Sequence, residues 1–76
     1  MNWTRSLPFL IVALIALHRQ DDHLVWVDTA QINTVQGAGQ LGYPTGTLVN
    51  AGGVSVVVKE NVSEVIRAIR AAEEKK

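Results

Sequence analysis

Three hydrophobic regimes follow one another along this chain. "LPFLIVALIAL", Leu7 to Leu17, is an uncharged apolar run of 11 residues. Between His23 and Lys59, short valine-rich stretches are separated by polar and glycine-rich segments. From Val62 onward, apolar residues return every three or four positions. The first two regimes predict strands and the third a helix.

The run from Leu7 is well short of the about 20 apolar residues that span a bilayer. With Arg5 ahead of it the run has the shape of a signal peptide, but no small-x-small cleavage site follows, because Leu14 stands where a small residue is needed before Ala16. We read it as a buried strand preceded by an arm. "LIALHRQDDHLVWVD" then reads as a hairpin that turns through Gln20-Asp21-Asp22. With Asp21-Asp22 as a two-residue turn, Gln20 pairs with His23 and His18 with Val25. Asp22 takes a turn position that favours Gly, and Asp tolerates the left-handed backbone needed there.

Asp28 and Thr29 can start a tight turn, and Ile32 and Val35, three apart, suggest a helical turn running into a third short strand. "GAGQLGYPTG" holds four glycines and Pro44 in ten residues and reads as a flexible inter-strand loop. "TLVN" and "GVSVVVK", separated by Ala51-Gly52, form a second hairpin with its Val54, Val56, Val58 side toward the core. Asn61 and Glu64 have the spacing of a capping box, and Val62, Val65, Ile66 and Ile69 then mark one apolar stripe. The expected fold class is α+β: a small, mostly antiparallel sheet or open mini-barrel of about five short strands with one C-terminal helix. Residues 1–14 are an apolar N-terminal arm or first-strand extension, and 15–76 a single small domain.

Size and charge narrow the function classes. A chain of 76 residues makes one domain with a modest core. It has no cysteine, so disulfides, thiolate metal sites and a cysteine nucleophile are excluded. Oligomerisation is the remaining common support for so small a scaffold, and free sheet edges invite it; a homo-oligomer is expected. Seven basic residues balance seven acidic ones. Zero net charge argues against a general phosphate-backbone binder.

The candidate chemistry is sparse. Gly37 to Gly42, "GAGQLG", matches the G-x-G-x-x-G pattern of dinucleotide sites. That pattern needs a strand before it and a helix directly after it. "YPTG" follows instead, and no second parallel strand remains in the chain. Partner contact is the better role for this loop. His18 and His23 flank a turn with two carboxylates, and in the expected register they are diagonal neighbours on one face. A turn carboxylate would have to fold back to join them, and no third histidine or cysteine completes a ligand set. Ser6, Ser55 and Ser63 lack a motif that would activate them. No catalytic residue, cofactor or metal is assigned. The candidate partner-contact residues are Trp3 and Trp26, in an arm and a strand, Tyr43 in the glycine-rich loop, and Arg67 and Arg70 off the apolar stripe of the helix.

From Ile15 to Ile69 the chain resembles the small flagellar FlbD family, which includes the swarming-motility SwrD proteins. The residues that carry the likeness are "IALHRQDDHLVWVD", "QINTV" and "TLVNAGGVSVVVKENVSEVIRAI". In the last of these, Lys59, Glu60, Val62, Glu64, Val65 and Ile69 fall in the family's register, and Asn61 replaces its Ser or Thr cap. The chain departs from the family in its longer "GAGQLGYPTG" link, in Asp28-Thr29 where the family has Asn-Pro, and in the arm from Met1 to Leu14. The resemblance implies a cytoplasmic, non-enzymatic bacterial protein associated with flagellar motility, and it brings no catalytic or ligand residues. The strand pattern is also similar to DNA-binding LytTR-type sheets, against which the zero net charge argues. The expected function is therefore a small interaction or adaptor protein acting on an unidentified protein partner, with no small-molecule substrate. The alternatives are a nucleic-acid-binding mini-barrel using Lys59, Arg67 and Arg70, and a membrane-associated or exported domain held by Leu7 to Leu17.

Overall fold

The computed structural model describes residues 13–74. Five short antiparallel strands form two sheets, and one helix follows them. Strands β1 (Leu14–His18) and β2 (Leu24–Asp28) make a two-stranded hairpin. Strands β3 (Ile32–Gly37), β4 (Thr47–Ala51) and β5 (Val54–Val58) make a meander in that order. Helix α1 (Val62–Glu74) closes the chain. The sheets meet where Arg19 bridges Val58 and the Lys59 N–H donates to the His18 carbonyl at 2.7 Å. The α+β expectation thus holds in its open form. Of the run Leu7 to Leu17, the part before residue 13 lies outside the described residues, as does Trp3; the rest enters β1.

The register of the first hairpin differs from the expected one. Its loop has three residues, not two: the Asp22 N–H donates to the Arg19 carbonyl at 2.9 Å, and the Arg19 N–H to the His23 carbonyl at 2.8 Å. Asp22 adopts φ 72°, the left-handed residue that ends such a loop. His18 therefore faces Leu24 instead of Val25. Because side chains alternate, this one-residue change puts His18 and His23 on opposite faces.

The three-residue spacing of Ile32 and Val35 also has another origin. The helical turn lies just upstream, at Thr29–Gln31, where the Asp28 side chain accepts from the Ala30 N–H at 2.9 Å. Ile32 and Val35 both belong to β3, whose register against β4 shifts between Ile32 and Thr34. This bulge lets residues three apart share the core-facing side.

The glycine-rich segment is an ordered connection, not a loose one. Its ends close through the Ala38 N–H on the Gly46 carbonyl at 3.0 Å, and a 3-10 turn at Gly39–Leu41 is held by the Leu41 and Tyr43 N–H groups on the Ala38 carbonyl. The second hairpin turns on Gly52-Gly53, at φ 58° and 82°, one residue beyond the expected Ala51-Gly52. Two successive positive φ values suit the twist of a tight hairpin, and glycine alone takes them without strain.

The core is formed by Ile15, Leu17, Val27, Val49, Val58 and Val65. From the helix, Val65 is buried, with Ala68, Ile69 and Ala72 packed against it. The buried stripe is rotated slightly from the expected one, since Ile66 is exposed. Val56 and Val58 face inward as expected, but Val54, beyond the edge of the core, is 67 % exposed. Helix α1 packs on β1 and β3, and the Thr29 hydroxyl donates to Glu73 at 2.6 Å across that junction. The reciprocal cap forms as expected: the Asn61 N–H donates to Glu64 at 2.9 Å and the Glu64 N–H to Asn61 at 2.8 Å.

Candidate functional site: an apolar hairpin face and a polar junction

An unbroken apolar strand has two apolar faces. β1 and β2 are both of this kind, and the fold covers only one of them. Ile15, Leu17 and Val27 are buried and Val25 is half-buried, while Leu14, Ala16, Leu24 and Trp26 point outward. Trp26 sits opposite Ala16 and is 63 % exposed, with Leu14 at 51 % and Leu24 at 54 %. The outer face of the three-stranded sheet is different. There Asn50 donates to Thr34 at 2.5 Å and accepts from Ser55, a polar ladder suited to water. Isolated exposed apolar residues are common, but a contiguous group centred on Trp is the composition of an interface core.

Beside this face, a groove of about 260 Å³ runs along β2 from Val25 to Asp28. Its other wall is the end of the second hairpin, with Ala51, Gly52, Val54 and Val56. A second cleft of about 310 Å³ lies between the first turn and β5, and Tyr43, 40 % exposed, lines it with Arg19 and Ser55. Arg67 and Arg70 are exposed on α1. Of the expected contact residues, Trp26 and Tyr43 thus border different clefts, and the two arginines stand on a separate element.

A polar junction joins β1 to the start of α1. The His18 N–H donates to both Glu60 carboxylate oxygens, at 2.9 and 3.1 Å, and its ring Nδ1 lies 2.7 Å from Glu60 Oε2. The buried Thr47 hydroxyl donates to the Glu60 carbonyl at 2.7 Å. Partial burial pushes the Glu60 carboxyl up, but the hydrogen bonds from His18 outweigh it and hold the group below its ordinary range. Lys59 Nζ pairs with Asp22 at 2.5 Å; the contact lowers the Asp22 carboxyl and raises the Lys59 ammonium. His23 stands 3.0 Å from Asp21, whose carboxyl it lowers by hydrogen bonding. The two histidines therefore serve separate carboxylates. Among the described residues, no three His, Asp or Glu side chains converge as metal ligands.

"GAGQLG" joins two antiparallel strands of one meander, so its glycines do not deliver a strand into a helix N-terminus. A side chain at Gly37 or Gly39 would meet nothing within 4 Å. The tight glycine is Gly46, just past the motif: a Cβ there would stand 2.9 Å from the Val58 carbonyl oxygen and 3.0 Å from Gln20 Nε2.

Leu14, Leu24, Val54 and Glu60 are the surface participants that residue-by-residue reading missed. For the two leucines the signal was present, because uninterrupted apolar strands imply apolar residues on both faces. Glu60 carried no local signal, since its partner lies 42 residues away.

Among the described residues, no helix is long and apolar enough to cross a membrane. Comparison with known protein families, curated proteins and solved structures finds no match to this chain.

Proposed function

We propose that this chain is a small, non-enzymatic interaction protein of the FlbD kind, working in the cytoplasm in flagellar motility through contact with a protein partner, and that it self-associates. The observation that carries the reading is the outward apolar face of β1 and β2 centred on Trp26, which the fold leaves open to water. A protein spends exposed Trp and Leu where something covers them. His18 with Glu60, His23 with Asp21 and Lys59 with Asp22 pair as structural contacts within the first turn and between it, β1 and the segment after β5, which supports an interaction role over a catalytic one.

The test is genetic and physical together. Deletion of the gene in its host abolishes swarming on soft agar, the intact gene restores it, and Trp26→Lys fails to restore it while the protein stays folded and abundant. Normal swarming in the deletion strain sinks the reading.

The nucleic-acid alternative depends on Lys59, Arg67 and Arg70. Lys59 is engaged by Asp22, which leaves two exposed arginines on the helix. A salt-dependent shift of labelled DNA or RNA that is lost in the Arg67→Ala, Arg70→Ala double variant would favour that alternative.

A further inference from the structure

Strand edges expose main-chain donors and acceptors, and proteins normally protect them with charge, a bulge or a covering segment. Among the described residues, β3 carries a bulge and polar side chains on its free edge. The edge of β5 is met at its end by Arg19, the Lys59 N–H just beyond it donates to the His18 carbonyl, and the Gln20 side chain donates to the Val58 carbonyl at 3.1 Å. β2, "LVWVD", has no proline, lysine or bulge, and among the described residues β1 is its only strand neighbour.

Hydrogen-bond parity shows which of its groups are free. The Arg19 N–H donates to the His23 carbonyl, and the Thr29 N–H donates to the Ala13 carbonyl at 2.9 Å. These bonds bracket β2 and turn residues 23 and 29 toward β1. In an antiparallel ladder the hydrogen-bonded positions alternate, so Val25 and Val27 also face β1. The main-chain groups of Leu24 and Trp26 and the Asp28 N–H therefore face the open edge, with Trp26 at the centre.

We propose that two copies of this chain pair antiparallel along β2, about a two-fold axis through Trp26. This rests on the reading of the chain as a self-associating interaction protein, and names the surface. The arrangement is self-complementary. Trp26 faces Trp26 of the other copy, Val25 faces Val27, and Leu24 faces Asp28. Trp26 donates to and accepts from its counterpart, and the Asp28 N–H donates to the Leu24 carbonyl of the opposing strand, the Asp28 carbonyl being taken by the 3-10 turn that follows it. No two charges oppose one another, and the zero net charge of the chain puts no global repulsion between copies. The added strand stands about 4.8 Å from β2, over the groove bounded by Val54 and Val56. A two-fold is the commonest symmetry of small homo-oligomers and needs one patch that matches itself.

The experiment combines mass, cross-linking and amide exchange on the full chain. Light scattering shows a dimer at high micromolar concentration, and Trp26→Lys raises its dissociation constant about thirtyfold or more, the scale of a lost hot-spot residue, with unchanged far-ultraviolet circular dichroism. The chain has no cysteine, so single cysteines report cleanly. In a hydrogen-bonded pair the Cα atoms are about 5.5 Å apart, within disulfide reach. At concentrations above its own raised dissociation constant, Trp26→Cys therefore oxidises to a covalent dimer, whereas Leu24→Cys, placed opposite Asp28, does not. In the unmodified chain, the Trp26 and Asp28 amides gain exchange protection as concentration rises through the dimer range. A chain that stays monomeric removes both the self-association and this site. A dimer whose Trp26 and Asp28 amides exchange freely, or in which Leu24→Cys cross-links as readily as Trp26→Cys, overturns this pairing alone and leaves self-association through another surface.

Discussion

His18 and Glu60 are joined through three contacts: the backbone N–H of His18 reaches both carboxylate oxygens, and its ring Nδ1 lies 2.7 Å from one of them. One carboxylate thereby fastens the end of β1 to the residue just ahead of α1.

Replacing Glu60 with Ala removes these bonds and leaves the exposed His18 N–H to water. The expected loss is about 1 kcal/mol, the scale of hydrogen bonds that water can replace. Denaturant unfolding checks it, as a lower midpoint with an unchanged slope.

The same contact sets an acid limb to stability. Glu60 has a folded pKa below its ordinary 4.5, so its contribution is fully present above that value and is lost as pH falls through the lowered one. Asp21 and Asp22, lowered from 3.8, act in the same sense on the exposed turn. The thermal midpoint should therefore fall on acidification below about pH 4.5, and less steeply in Glu60→Gln. Lys59, raised from 10.5, gives the mirror effect: its pairing with Asp22 persists below 10.5 and is lost as pH rises through the raised value. Salt weakens this exposed pair.

Gly46 is the glycine whose size matters. A methyl group there must displace the Val58 carbonyl or the Gln20 amide, so Gly46→Ala should cost about 1–3 kcal/mol, as overpacking does. Gly39→Ala, with open space around it, should be close to neutral. Equal effects at the two positions would contradict the packing.

Asp22 holds a left-handed turn residue and also pairs with Lys59. Asp22→Gly keeps the backbone and loses the pair, whereas Asp22→Val must adopt a backbone that β-branched residues avoid. Thermal melts should rank Asp22→Gly well above Asp22→Val.

The helix cap is testable by itself. Asn61→Ala should cost about 1 kcal/mol, and Leu17→Ala about 2–5 kcal/mol from the core cavity. In so small a domain, the second change is expected to leave little folded protein at room temperature. Circular dichroism on both variants separates the two scales.

Whatever depends on near neighbours was determined by the sequence. Period-two valines made β5, the three-and-four spacing made α1, and Asn61 with Glu64 closed the helix start, since each signal is complete within a few residues. Asp28 likewise began its turn locally. Register was decided by the tertiary structure: whether the first loop held two residues or three turned on the left-handed Asp22, and that choice separated His18 from His23. The bulge that lets Ile32 and Val35 face inward together forms only against β4. The partnership of His18 with Glu60, and the exposure of Trp26 beside Leu14 and Leu24, exist only once separate strands meet. An apolar strand states that both its faces avoid water; which face the core covers, and which remains open at an edge, is settled by what packs against it.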